Sequence, residues 1–211
     1  MDSVLEAGEV FRASRLLDKR RVDDADGLGL DALRGQLTEF TANCGHPQIT
    51  LAARQLVESH RAGEPAAWIG PSDALPYPPD VARGGIDWSA LALIHSSQPQ
   101  QASVAADKLL RSGGFGLVVV DLIGMHPARI ADPLAGRLLR LAEHHDSAVV
   151  FLTRNPDGSG GVCSLVALRV RARWADTGAE QLRMVCQITR DKRGGRHRRI
   201  EEVYDGALRL R

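Results

Sequence analysis

The residues from Ala42 to Ile49 occupy a place in the chain where phosphate-binding chemistry is expected. They lie between an alternating, strand-like segment, Gln36–Thr41, and a helix that Pro47 opens. In strand–loop–helix units that bind nucleotides, eight such residues read Gly-x-x-x-x-Gly-Lys-Ser/Thr, because glycines admit the phosphate, lysine contacts it and the hydroxyl holds Mg²⁺. Here the eight residues read ANCGHPQI. The spacing predicts the scaffold of a phosphate loop.

The informative positions of this loop lack the groups that bind phosphate. Ala42 and Pro47 replace the two glycines, and Pro47 also has no N–H. Gln48 is neutral where a lysine would contact the β/γ-phosphates, and Ile49 has no hydroxyl for Mg²⁺. A helix N-terminus alone favours an anion by at most about 2 kcal/mol. We therefore expect no ATP binding, no cofactor and no enzymatic activity; the alternative is that the segment is an ordinary strand-to-helix turn.

Composition and charge narrow the class of protein. With 211 residues and a formal net charge of +1, the chain is expected to form one main domain without a global field for polyanions. The segment from Arg169 to Arg211 is basic, with 12 Lys/Arg against 6 Asp/Glu. The three cysteines are widely spaced, which is typical of reduced thiols. We see neither a signal peptide nor an apolar run of membrane-spanning length, so we expect a cytoplasmic protein without membrane contact.

Strand and helix patterns alternate along most of the chain. The periodicity predicts strands over Gln36–Thr41, Ala66–Ile69, Leu91–His95, Phe115–Leu122 and Ala148–Thr153, and helices over Pro47–Ala62, Ser103–Arg111 and Pro133–His144. The apolar run FGLVVVDL is typical of a strand at the centre of a parallel sheet. After Val166, three alternating segments are separated by turns. The sequence predicts an α/β fold with a largely parallel central sheet, flanked by helices, that ends in a C-terminal antiparallel β-meander.

Residues 1–27 are predicted to form an amphipathic helix and a linker, ahead of a domain over residues 28–211. Val10 and Leu17 share one apolar face of the helix, with Phe11 beside it. The polar linker VDDADGLG follows. Such an arm docks either on its own domain or on a neighbouring protein. These three apolar side chains are the hypothesised protein interface.

A basic cluster near the C-terminus is a second candidate contact surface. Its members are Lys192, Arg193, Arg196, Arg198 and Arg199. Three interpretations remain open: a solvated hairpin tip, a partner-binding surface, and a weak, salt-dependent contact with DNA phosphates. No aromatic residues for base stacking are interleaved with these cations. No group of potential ligands has the spacing of a metal site, so we expect no metal.

Five stretches, taken in order and spacing, resemble the core of the RecA family over roughly residues 28–206. They are GLDALRGQLTEF, AWIGPSDAL, GGIDWSALALIHSSQP, ADKLLRSGGFGLVVVDL and VVFLTRN. The resemblance places Asp121 where the family has an acid that assists Mg²⁺, and Ser72 where it has its catalytic glutamate. The connections after Asp121 and Thr153, which carry DNA-binding loops in RecA, are short here. The resemblance therefore implies a RecA-like domain without ATP hydrolysis and with weak or absent DNA binding.

A RecA core reduced in this way resembles ImuA, the RecA-like accessory family of bacterial mutagenic translesion synthesis within the SulA/RecA superfamily. That resemblance implies a non-catalytic regulator of the SOS response, which binds RecA and an ImuB-type polymerase-like hub and limits RecA filament activity. It also implies a location at the nucleoid during DNA damage. Two alternatives remain: a SulA-like inhibitor of cell division, and a nucleotide- and DNA-binding paralogue of RecA. Gln48, Ile49 and Ser72 argue against the second.

Overall fold

The computed structural model describes residues 28–71, 85–154, 160–176, 181–194 and 199–205. The predicted N-terminal arm lies outside these residues, so its interface residues and the division at residue 27 stay predictions. Further predicted positions outside the described part are Ser72, Arg196 and Arg198.

Eight strands and three helices form the described structure. The strands are β1 Gln36–Thr41, β2 Ala66–Gly70, β3 Leu91–His95, β4 Leu117–Asp121, β5 Ala148–Thr153, β6 Leu168–Asp176, β7 Gln181–Asp191 and β8 Arg199–Asp205. The helices are α1 Pro47–Arg61, α2 Pro99–Arg111 and α3 Asp132–His145. Each helix has a proline in its first turn, where the absent N–H leaves no hydrogen bond unmade.

All eight strands belong to one sheet in the order β3-β2-β4-β5-β1-β6-β7-β8. The six strands from β3 to β6 in this order run parallel, and β7 is antiparallel to both of its neighbours, β6 and β8. Strand β6 therefore belongs to both parts, because it pairs with β1 on one side and with β7 on the other. This arrangement confirms the predicted α/β fold with its terminal antiparallel meander.

Two apolar layers cover the faces of the sheet. Helix α1 packs on one face over a core that includes Phe40, Trp68 and Leu152. Helices α2 and α3 pack on the other face over Val118, Val120 and Phe151. Every residue of β4 is buried, because β4 lies between β2 and β5 and is covered on both faces. The continuous apolar run predicted this position.

Two predicted elements differ from the structure by more than one residue at a boundary. Helix α2 begins at Pro99 instead of Ser103, because Pro99 supplies the helix start and the next two glutamines form a polar first turn without apolar periodicity. The central strand covers Leu117–Asp121, which is shorter than the apolar run around it. In the part of the chain that the structure describes, no helix combines the length and the apolar character needed to span a membrane.

The first described residues, 28–33, pack beside α1. Leu28, Leu30 and Leu33 are buried. The Leu30 N–H donates to Glu58 Oε2 at 2.6 Å, and Gln55 Nε2 donates to the Leu28 carbonyl at 3.0 Å. These contacts hold the segment that begins at Leu28 against α1.

Candidate functional site at the loop between β1 and α1

The loop at residues 42–46 lies at the carboxyl edge of the parallel strands. Strand β1 ends at Thr41, and the neighbouring strands β5 and β4 end at Thr153 and Asp121 on the same edge. Ala42 is buried, and the next four loop residues are exposed. In open parallel sheets this edge is where ligands bind, so the predicted strand–loop–helix unit has the expected location.

The start of α1 presents few free donors to an anion. Pro47 has no N–H, and the Ile49 N–H donates to the His46 carbonyl at 3.0 Å. His46, which precedes the helix, is held in the left-handed region with φ 51° and gives no side-chain cap. Anion sites at helix ends depend on free N–H groups that point at the ligand. The beginning of α1 is therefore a poor cradle for phosphate.

Gln48 stands in the place of the phosphate-binding lysine and is directed into the protein. Its side chain is 1% exposed, and Nε2 lies 3.4 Å from the Thr153 carbonyl. Ile49, in the place of the Mg²⁺-binding hydroxyl, packs against the core under α1. Neither residue offers a positive charge or a hydroxyl at the loop. At both positions, a side chain that packs into the protein stands where a nucleotide-binding loop has a group that binds phosphate or Mg²⁺.

Two side chains from distant strands contact the loop directly. Trp174 of β6 donates its indole N–H to the Gly45 carbonyl at 2.9 Å. Arg154, just after β5, donates through Nε to the Asn43 carbonyl at 3.0 Å. Gly45 has φ +69°, and a Cβ placed on it would lie 2.9 Å from Trp174 Cδ1. The loop is therefore held closely by its own protein, and the carbonyls of Asn43 and Gly45 accept these bonds.

Asp121 is fully buried at the end of β4. Its Oδ1 accepts the N–H of Ile123 at 2.9 Å, which closes a tight turn after the strand. Gly70 lies against it, since a Cβ at residue 70 would come within 2.9 Å of Asp121 Cβ. The carboxylate thus contributes to the backbone geometry at the strand end.

A buried ionic network lies beside the loop, and the sequence did not predict it. Glu39 of β1 is completely buried and accepts from Thr153 Oγ1 at 2.8 Å, from the Val162 N–H at 3.3 Å and from Arg169 Nε at 2.8 Å. Gly161 is required here, because a Cβ would overlap the Arg169 guanidinium. The sequence signal that could have indicated it is Glu39 itself, a charged residue inside a predicted strand. The network joins β1, β5 and β6.

The described members of the predicted basic cluster contact their own protein. Lys192 Nζ donates to the Ser164 carbonyl at 2.9 Å, and Arg193 donates to the Gly35 carbonyl at 2.7 Å. Arg199 forms an ion pair with Glu201 at 2.6 Å. The first two cations anchor the end of β7 to the body of the domain. The proposed partner or DNA patch stays a prediction, with fewer unengaged charges than the sequence suggested.

The described residues include no group of three metal-ligating side chains placed to hold a metal ion. Cys44 is exposed on the loop, and Cys163 and Cys186 are buried. Burial raises the pKa of the Cys163 thiol above its usual value, so this cysteine is a packing residue and not a nucleophile.

The chain is similar to curated RecA proteins over part of its length. It is 36% identical over 98 residues to Protein RecA of Leifsonia xyli subsp. xyli, which is 46% of this chain and 27% of that protein. It is 31% identical over 124 residues to Protein RecA of Nocardioides sp., which is 57% of this chain and 35% of that protein. For Protein RecA of Corynebacterium jeikeium, the identity is 34% over 91 residues, 43% of this chain and 24% of that protein.

No family model matches the chain. The matched region spans about a quarter to a third of the length of these curated relatives. Within that region the identity is above 30%, and the sheet has mostly parallel strands followed by a terminal antiparallel meander. Sequence and architecture together make this chain a RecA-like relative with an α/β RecA-like fold.

Proposed function

We propose that this protein is a non-catalytic, RecA-like regulator that acts through protein contacts. The observation that carries the proposal is the state of the loop between β1 and α1. Gln48 and Ile49 turn inward where a nucleotide-binding loop has a lysine and a hydroxyl, and Trp174 donates to the Gly45 carbonyl. A loop with these contacts has neither the charge nor the free N–H groups to retain ATP.

RecA itself is the proposed partner. The chain shares sequence with RecA over 43–57% of its length among the relatives above, so it resembles part of a RecA protomer in shape. A domain of that shape that lacks nucleotide can take the place of a protomer at the end of a filament without supporting further growth. In this way it limits recombination during the SOS response. An ImuB-type polymerase-like hub is the second proposed partner, in translesion synthesis.

The proposed docking element is the N-terminal arm. Leu28 is held by α1, and in this proposal the predicted linker before it lets the arm reach a neighbouring protein. Val10, Phe11 and Leu17 supply the apolar contacts. Replacing Phe11 and Leu17 with aspartate is expected to abolish RecA binding and to leave the core folded.

The arm also provides a matched control for this experiment. Arg12→Asp with Arg15→Asp introduces the same two residues on the polar side of the predicted helix. Binding to immobilised RecA and far-UV circular dichroism are measured for both double variants. Loss of binding in the apolar pair alone supports the arm as the interface. Equal binding by wild type and the apolar double variant rejects it.

Nucleotide binding tests the non-catalytic part of the proposal separately. Titration of a fluorescent ATP analogue with Mg²⁺ is expected to give no saturable binding, and ATP turnover is expected to be absent with and without single-stranded DNA. A DNA-stimulated ATPase would instead identify a nucleotide-dependent RecA paralogue. Arrest of cell division on expression, without an effect on RecA, would favour the SulA-like alternative.

A further inference from the structure

The outer sides of α2 and α3 carry basic residues beside one another. On α2 they are Lys108 and Arg111, and on α3 they are Arg137 and Arg140. All four of these residues are exposed. The opposite sides of both helices pack on the sheet through apolar residues, namely Ala102, Ala106, Leu110, Ala135, Leu138 and Ala142. We call the four exposed residues the basic ridge.

A buried carboxylate between the two helices holds two of these arginines. The side chain of Asp107 is 7% exposed, and its two oxygens lie 2.9 Å from Arg111 Nε and 2.6 Å from Arg137 Nε. Because a guanidinium has five N–H donors, each arginine keeps donors for a second ligand. The two arginine side chains are 56% and 45% exposed. The carboxylate therefore orients both guanidinium groups at the surface, which lowers the entropy that a ligand would have to remove.

The positive charge of the basic ridge exceeds the charge of that carboxylate. In the part of the chain that the structure describes, Lys108 and Arg140 form no ion pair. Two further acids belong to α3: Asp132 is in its first turn, and Glu143 lies beside Gly35 without an ion pair to Arg140. Four cations and one buried carboxylate leave a net charge of +3 at this surface. An anionic partner would offset this charge.

An exposed apolar residue lies in line with the cations. Val104 is 39% exposed, and it precedes Lys108 by four residues and Arg111 by seven, which is the spacing of one helix face. On α3, the partly buried Leu141 follows Arg137 by four residues. A ligand that contacts this whole surface therefore needs apolar groups as well as negative charge.

We propose that the basic ridge docks an acidic, amphipathic helix of a partner protein. Arginine binds carboxylates through two parallel hydrogen bonds and stays charged at physiological pH. On both α2 and α3 the cations are three residues apart, a rise of about 4.5 Å. A partner helix that lies along these helices presents Glu or Asp at the same interval, with apolar residues between them to contact Val104. The inference depends on α2 and α3 alone and is independent of the role proposed for RecA.

Two features favour the carboxylates of a protein over the phosphates of a nucleic acid. A line of phosphates offers no apolar side chain to Val104, and the basic ridge includes no aromatic ring on which a base could stack. The formal net charge of the chain is +1, so the protein has no strong overall field to attract a polyanion. An acidic helix supplies both the charge and the apolar contact.

The experiment uses the protein and three labelled probes. The first is a helical peptide with Glu three and four residues apart and Leu between them, the second replaces each Glu with Gln, and the third is an oligothymidylate with the charge of the first. Binding is measured by fluorescence anisotropy at about 0.01 M salt, where the Debye length is about 30 Å. The test variant is Lys108→Gln with Arg140→Gln, which leaves the ion pairs of Asp107 in place. The matched control, Arg61→Gln with Arg173→Gln, removes the same charge from exposed positions on α1 and β6.

Wild type and the control are expected to bind the Glu peptide at least about tenfold more tightly than the Gln peptide, and more tightly than the oligothymidylate. The Lys108/Arg140 variant is expected to lose at least about threefold in affinity for the Glu peptide, with an unchanged circular dichroism spectrum. Equal binding of the two peptides by wild type overturns the proposal. Tighter binding of the oligothymidylate, or an equal loss in the control, overturns it as well. If the double variant misfolds, Lys108→Gln alone, at an exposed position, is used for the same comparison.

Discussion

Arg169→Met is expected to destabilise the domain strongly, because it leaves the Glu39 carboxylate buried without its cation. Glu39 is 0% exposed, and Arg169, at 20% exposed, lies 2.8 Å from it. Breaking a buried pair in this way typically costs about 3–5 kcal/mol. Glu39 keeps its bonds from Thr153 and Val162, so we place the loss at about 3 kcal/mol. Against a usual free energy of unfolding of about 5–15 kcal/mol, this is a large fraction.

The same reasoning predicts a rescue. Glu39→Gln alone removes the buried charge and leaves Arg169 near solvent, which is expected to cost about 1–2 kcal/mol. Once residue 39 is neutral, loss of the arginine costs little more. The double variant Glu39→Gln with Arg169→Met should therefore be more stable than Arg169→Met alone. This non-additivity is the coupling that a double-mutant cycle measures.

Urea unfolding followed by circular dichroism gives the four free energies of the cycle. The matched control is Arg173→Met, an exposed arginine on the same face of β6, for which a change below about 0.5 kcal/mol is expected. A loss under about 1 kcal/mol for Arg169→Met would refute the reasoning. Additive effects in the double variant would refute it as well, since Glu39 would then not depend on Arg169 for its compensation.

Three further predictions concern the loop, one histidine and one thiol. Gly45→Ala is expected to lower the free energy of unfolding by about 1–3 kcal/mol, because residue 45 has φ +69° and contacts Trp174. Gly63→Ala, at φ +75° in open space, is expected to cost less. The urea midpoints of the two variants test this difference. Burial lowers the pKa of His60 below 6.5, so the native state binds fewer protons than the unfolded state. The free energy of unfolding should therefore fall as the pH drops below about 6.5. In denaturation series across that range, His60→Gln should lose this dependence. Cys44 is exposed and the other two cysteines are buried. Mass spectrometry after brief alkylation of the folded protein should therefore find one modified thiol. Three thiols modified at the same rate would contradict the burial.

Local patterns predicted most of the fold because the elements carry their own signals. Strands β1, β3 and β5 have the predicted bounds, and α1 ends within one residue of the prediction. Proline at a helix start, alternation in an edge strand and an apolar run in a central strand are all properties of short segments. The start of α2 was missed because its first turn is polar.

The contacts at the site depend on pairing between distant strands, which local patterns do not contain. Trp174 reaches Gly45 only because β6 pairs with β1, and the two residues are 129 positions apart. The same pairing brings Arg169 to Glu39. The sequence identified the substitutions at Gln48 and Ile49 from their types alone, but it did not indicate which side chains hold the loop.

The most direct test of the central claim is a titration of the protein into RecA-mediated strand exchange on single-stranded DNA. ATP turnover is measured in the same reactions. We expect inhibition at ratios well below one molecule per RecA protomer, and no ATP turnover from the protein alone. Inhibition at such ratios is the result that capping of filament ends predicts. Unchanged strand exchange at equimolar protein, or an ATPase activity of the protein itself, would contradict the account.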